Sequence, residues 1–265
     1  MLLPSLLYVL AIFIFLLITQ EIFHRYPRFT FALFLMIPAI LFACWLLLVN
    51  YPDWFPWVKV ASIALGIFVL SVFRSTRLGN SRLCQLTIYL FLVINILEAV
   101  IRDFLAGGVG NYFNAIAGLL LLLTLNQIRT IYIDKKKGYN DLHWGSMTLL
   151  WIIGYTIWNW VFVYLNYGLQ SSVQHIAVLG SALLIGFINT EKWLQARVFT
   201  LGTYFIIIHS APHLNYQLFS SDIDKNFGLL VATVSITFMV WHTLQLVRSG
   251  DKKLLLVKLL GKKIE

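Results

Sequence analysis

Nine apolar runs, each long enough or nearly long enough to cross a bilayer, follow one another with only short gaps between them: about 2–20, 29–50, 58–73, 83–101, 112–128, 147–166, 173–188, 196–211 and 227–247. A helix needs about 20 apolar residues to cross a hydrocarbon core roughly 30 Å thick. The pattern therefore predicts an all-α, polytopic transmembrane helix bundle of about nine spans. The runs at 58–73 and 173–188 are short, and fit spans with snorkelling ends or re-entrant segments. Removing 173–188 alone would put the basic C-terminal tail on the wrong side, so it is kept as a span.

The basic residues set the direction of threading. Of the 20 Lys and Arg residues, all but Lys59, Arg102 and Lys225 fall in or beside the first, third, fifth and seventh gaps and the tail. Lys and Arg of short loops are retained on the cytoplasmic side. The N-terminus is therefore expected outside and the C-terminus in the cytoplasm, with residues 1–265 forming one integral-membrane domain of the cell (inner) membrane and 248–265 a basic cytoplasmic tail. The formal charge of +9 then faces anionic lipid on the cytoplasmic face, so nucleic acid is not an expected partner. The first run has no basic residue before it and no small-residue cleavage pattern after it, which predicts a retained span.

Aromatic residues suggest the two interfaces, with Trp54 and Trp57 outside and Trp144, Trp193 and Trp241 inside. The longest gap, from Arg129 to Leu142, holds Lys135, Lys136, Lys137, Gly138 and Asn140 and reads as a solvated turn near the headgroups. Cys44 and Cys84 fall at different membrane depths, too far apart for a disulfide, and read as buried apolar fillers.

Polar side chains inside apolar runs are costly and point to a bundle interior, a partner or a cavity. Here they gather in the outer half. Asn95, Glu98 and Arg102 share one face of the fourth run, with Glu98 and Arg102 in the favourable i,i+4 order, and Asp103 follows. The fifth run opens with Asn111 and Asn114 after the Gly107, Gly108 and Gly110 connection. The sixth places Tyr155, Trp158 and Asn159 in its middle to outer half. A structural ion pair, helix-bracing amides and aromatic packing account for these residues one by one; together they suggest a ligand-binding pocket between the fourth, fifth, sixth and eighth runs. Arg197, beside Glu191, Trp193 and Gln195, reads as a snorkelling or surface-paired arginine.

His209 and His213 are four apart, a spacing that metals use on a continuous helix, and His175 lies at a similar depth. A zinc ion on these three is therefore considered, but Pro212 interrupts the local helix. No cofactor is the expectation.

Three stretches resemble an uncharacterised family of bacterial multipass membrane proteins, domain of unknown function family 5692. They are Asn95-Ile-Leu-Glu98-Ala-Val-Ile-Arg102-Asp103; Gly154-Tyr155-Thr-Ile-Trp158-Asn159 with Tyr164 and Asn166; and Trp193-Leu-Gln195-Ala-Arg197 with Thr200-Leu201. Asn111 and Asn114 fall where that family is also rich in amides. The resemblance spans residues 90 to 205 and implies a membrane bundle with no assigned reaction; His209 and His213 are not part of its pattern. The His209/His213 pair is also similar to the zinc-site end of alkaline-ceramidase-like membrane hydrolases, but the companion Ser-x-x-x-His of an early span is missing.

Two functional readings follow. One is an outward-facing pocket that binds or transports a small polar or anionic solute, with Arg102 as anion contact and Glu98 orienting it or carrying a proton. The other is a membrane-embedded enzyme acting on a lipid or isoprenoid at the outer leaflet, with Glu98 or Asp103 as general base. A third, structural reading has the polar residues only bracing helices. Substrate, ion coupling and oligomeric state are not written in the sequence.

Overall fold

The computed structural model describes residues 2–48, 54–135, 138–210, 219 and 222–249. Eight helices carry almost all of it: α1 (Leu2–Arg25), α2 (Pro27–Leu48), α3 (Trp54–Ser75), α4 (Arg82–Ala106), α5 (Val109–Leu123), α6 (Leu149–Ile188), α7 (Trp193–Ser210) and α8 (Lys225–Arg248). Among the described residues, five helices are long and apolar enough to cross a membrane by length and composition. The all-helical expectation holds in outline, with one added element.

The ends of the helices follow from local chemistry. Pro27 opens α2, where its missing N–H costs no hydrogen bond. Ser81 caps α4 by accepting from the Cys84 N–H, Thr148 caps α6 through Trp151, and Asp224 caps α8 through Asn226 and Phe227. Gly107 and Gly108, at φ 73° and 92°, adopt a conformation that side chains resist and turn the chain from α4 into α5.

The runs at 147–166 and 173–188 appear as one 40-residue helix, but Gly168 breaks it at φ 76° and ψ −174°. The chain doubles back there. His175 Nε2 lies 2.9 Å from Asn159 Oδ1, whereas sixteen residues of straight helix would hold them about 24 Å apart. Trp160 Nε1 likewise donates to the Ser172 carbonyl. The two arms of α6 are antiparallel neighbours joined at a glycine.

Helix α6 packs on α1, α7 and α8, α5 lies between α4 and α8, and α2 rests against α3. Aromatic residues fill the centre: Trp151 and Tyr155 each meet the Trp193 ring edge-on, at 5.8 and 4.9 Å. Trp144 and Trp193 are buried, at 0% and 1% exposed, which corrects their reading as interfacial belt residues. Their indoles close the bundle end from within; Trp144 Nε1 finds the Gln127 carbonyl at 3.0 Å. Trp241 stays exposed, in keeping with an interfacial position. Cys84 is a buried free thiol, while the side chains of Cys44 and Trp54 lie outside the described residues.

The segment expected to be a solvated turn is a folded hairpin. Strands β1 (Ile131–Asp134) and β2 (Asp141–Trp144) pair antiparallel, with Ile131 opposite Trp144 and Ile133 opposite Leu142. Those four side chains are buried. Apolar burial, rather than lipid contact alone, decides the shape of this segment, and Lys136 and Lys137 lie outside the described residues.

Candidate functional site

A cavity of about 420 Å³ lies among α3, α4, both arms of α6, and α7. Its polar lining includes Lys59, Asn95, Asn159, Gln174, His175 and Arg197, and rings from Phe55, Phe162, Tyr167, Tyr204 and Phe205 form much of the remainder. Of the expected pocket residues, Asn95, Tyr155 and Asn159 line it. Helix α5 does not line this cavity; Val109, Gly110 and Asn111 at its start line a separate one of about 590 Å³. The small residues Ala115, Ala117 and Gly118 let α5 pack tightly elsewhere; a Cβ on Gly118 would meet Val100 and the Trp158 indole.

The Glu98–Arg102 pair is not formed. Glu98 Oε2 accepts from Lys59 Nζ at 3.2 Å and from the Ser62 hydroxyl at 3.3 Å, and Lys59 also donates to Asn95 Oδ1 at 2.7 Å. Arg102 instead lies over the Phe55 ring at 5.6 Å. Helical spacing allowed either partner, but a lysine from α3 reaches the carboxylate first. Lys59 was the missed residue here; its signal was a lone cation at the start of an apolar run.

Arg197 is the second missed residue. It is 4% exposed, so it neither snorkels nor pairs with Glu191, which is held by His143 at 2.9 Å. Its Nη2 lies 3.4 Å from Asn159 Oδ1 and 3.4 Å from His175 Nε2. Among the described residues, its Nε and Nη1 have no hydrogen-bond partner. Arg197 lines both the large cavity and a smaller one of about 70 Å³ that continues toward Leu142 of the hairpin. Its sequence signal was membership of the Trp193–Leu201 stretch that carries the family resemblance.

Arg74 shows what a satisfied buried arginine looks like in the same protein. At 1% exposed, it donates through Nε to the Asn140 carbonyl, through Nη1 to Phe23, and through Nη2 to Tyr139 and His24. Nearby, Asp141 accepts from Lys192 and Gln195 and lies 2.8 Å from His24 Nδ1, so the hairpin is pinned to α1, α3 and α7. Burial alone would push the Asp141 carboxyl up, but the bonds from His24, Lys192 and Gln195 hold it well below the usual carboxylate range.

Asp103, Asn111 and Asn114 belong to a separate cluster. Asp103 is fully buried; its Oδ1 accepts from Asn111 at 3.1 Å and Asn166 at 2.7 Å, and its Oδ2 from Asn114 at 2.8 Å. Trp158 braces this cluster through the Asn114 carbonyl at 3.0 Å.

Of the three histidines considered for zinc, His175 faces Asn159 and Arg197 in the cavity. The His209 side chain and His213 lie outside the described residues.

A model described as a family of unknown function, DUF5692, matches residues 2–254. The chain belongs to the DUF5692 family. The three stretches built around Glu98, Trp158 and Arg197 lie within the matched range, so the cavity and the Asp103 cluster are features of a DUF5692 chain. No curated protein and no solved structure matches it.

Proposed function

We propose that this chain is an integral membrane protein that binds a small anionic solute in the cavity around Arg197 and carries it across the bilayer. The observation that carries the reading is the contrast between two buried arginines. Arg74 uses all three nitrogens, whereas Arg197 leaves Nε and Nη1 unpartnered beside a cavity of about 420 Å³. An unpaired buried charge is costly, and a ligand that completes its bonds recovers that cost. Its third nitrogen, Nη2, makes only long contacts of 3.4 Å, so the guanidinium can offer a two-atom edge to a carboxylate or phosphate. Arg197 thus takes the role that the sequence suggested for Arg102.

Supporting the membrane setting, large apolar side chains cover the outside of the helices, among them Leu6, Leu47, Leu105, Ile188 and Leu230. With the N-terminus outside, the hairpin would lie at the cytoplasmic end, and Phe55 of α3 and Ile208 of α7, which line the cavity, toward the outer one.

The test is a thermal-shift series on purified protein, with acetate, benzoate and inorganic phosphate compared with chloride at equal ionic strength. An anion that raises the melting temperature of the wild type is expected to lose that effect in Arg197→Gln. Equal stabilisation of both proteins would remove Arg197 as the contact.

A further inference from the structure

We propose, building on the anion-binding reading above, that the cavity around Arg197 takes an aromatic monocarboxylate, its acid group on Arg197 and its ring among the aromatic side chains of the walls. The cavity has two levels, set by the directions of the helices. Trp193 meets Tyr155 and, one turn on, Arg197 meets Asn159, so α7 and the first arm of α6 run side by side in the same direction. Phe55, one turn before Lys59 on α3, meets Phe162, about one turn after Asn159, with ring centroids 6.0 Å apart. Helix α3 therefore runs the opposite way. All three helices place a charged or amide side chain at one level and apolar side chains at the other.

At the polar level, Lys59 donates to Asn95, and Asn159 meets both His175 and Arg197. The charges there do not cancel. Glu98 matches Lys59, whereas among the described residues no Asp or Glu pairs with Arg197. One uncompensated cation at the wall calls for one negative charge, and a dianion would leave an excess of the other sign.

At the other level, α7 contributes Leu201, Phe205 and Ile208, which follow Arg197 on one helical face. The first arm of α6 adds Phe162 and Val163, and the Tyr167 ring stands 6.2 Å from that of Phe162. The polar atoms of Tyr204 and Gln174 at this level meet each other, at 3.0 Å. An inorganic anion on Arg197 would leave these rings bordering water, and a ligand with an apolar body removes them from it. Phe55 and Phe162 are tilted by 56°, and Phe162 and Tyr167 by 76°. Ring edges as well as faces thus border the space, the surroundings that a further ring prefers. A cavity of about 150 Å³ is enough for benzene, so one of about 420 Å³ has room for a ring, a short linker and a carboxylate.

The experiment is a thermal-shift titration of purified full-length protein with phenylpropionate, cyclohexylpropionate, acetate, inorganic phosphate and the neutral phenylpropanol, at equal ionic strength. Phenylpropionate is expected to act at a concentration about tenfold or more below acetate, the scale of burying one ring. Cyclohexylpropionate should be weaker, and weaker still the alcohol, which reports partition into the detergent micelle. Arg197→Gln should lose the response to both carboxylates of the comparison, phenylpropionate and acetate. Phe205→Leu, at a half-buried wall position, should narrow the gap between those two and leave acetate unchanged. Acetate, phosphate or cyclohexylpropionate acting as strongly as phenylpropionate, with the effect lost in Arg197→Gln, would overturn the aromatic class and leave the anion reading standing. Equal action by phenylpropanol, a response that survives in Arg197→Gln, or no response to any anion would overturn both.

Discussion

Lys59 Nζ stands 3.2 Å from Glu98 Oε2, joining α3 to α4 beside the cavity. Both side chains are largely buried, at 19% and 13% exposed, so removing either one strands a charge. Glu98→Gln alone is expected to cost stability toward the lower end of the roughly 3–5 kcal/mol typical of a broken buried pair. The double change Lys59→Met with Glu98→Gln should recover most of it, because both charges go together. Melting curves at matched detergent check this; a double variant as unstable as the single one would deny the coupling.

Arg197→Met should do the opposite of most core substitutions. It removes a buried cation with two unpartnered N–H groups and leaves an apolar chain of similar length. The variant is expected to melt at or above the wild-type temperature while losing stabilisation by anions. Clear destabilisation would mean that Arg197 is held by the protein after all.

Asp141 gives a pH signature. Its folded-state value lies below the usual carboxylate value of about 3.9, so its contribution is full above that pH and is lost as pH falls through the depressed folded value. The stability gap between wild type and Asp141→Asn should therefore be constant at neutral pH and narrow below about pH 4. Thermal melts across that range read it directly. A gap that persists unchanged to low pH would mean that the carboxylate is not what holds the hairpin.

Gly118→Ala tests the packing of α5. The added Cβ would lie 2.5 Å from Val100 Cγ2 and 2.8 Å from Trp158 Nε1, and the indole is held in place by its bond to the Asn114 carbonyl. Overpacking of this kind costs about 1–3 kcal/mol. A neutral result would show that α5 shifts freely on α4.

Threading is checked with reporters. A fusion after Glu265 should be cytoplasmic and an insertion near Asp222 external. A cysteine placed at Lys135 should resist membrane-impermeant reagents in sealed cells; labelling there would reverse the topology.

The extent of the helices was legible in the sequence because apolar length and charge distribution are properties of each segment taken alone. Pairing of side chains was not. Glu98 had a plausible partner one helical turn away in Arg102, yet Lys59, 39 residues earlier, took it. The hairpin escaped notice because four-residue strands are too short to set a period, and their apolar faces acquire meaning only once Leu142 and Trp144 find a bundle end to cover.

The sequence by itself determined that this chain folds as apolar helices with polar residues concentrated in a few of them, since a one-dimensional pattern of hydrophobicity dictates which segments leave water. Tertiary structure alone decided which polar groups meet. It separated Asp103 and its three amides from the cavity, satisfied Arg74, and left two nitrogens of Arg197 without partners. Those outcomes depend on where the Gly107–Gly108 turn and the Gly168 break send the following helices, and on packing between segments far apart in the chain, which no local pattern encodes.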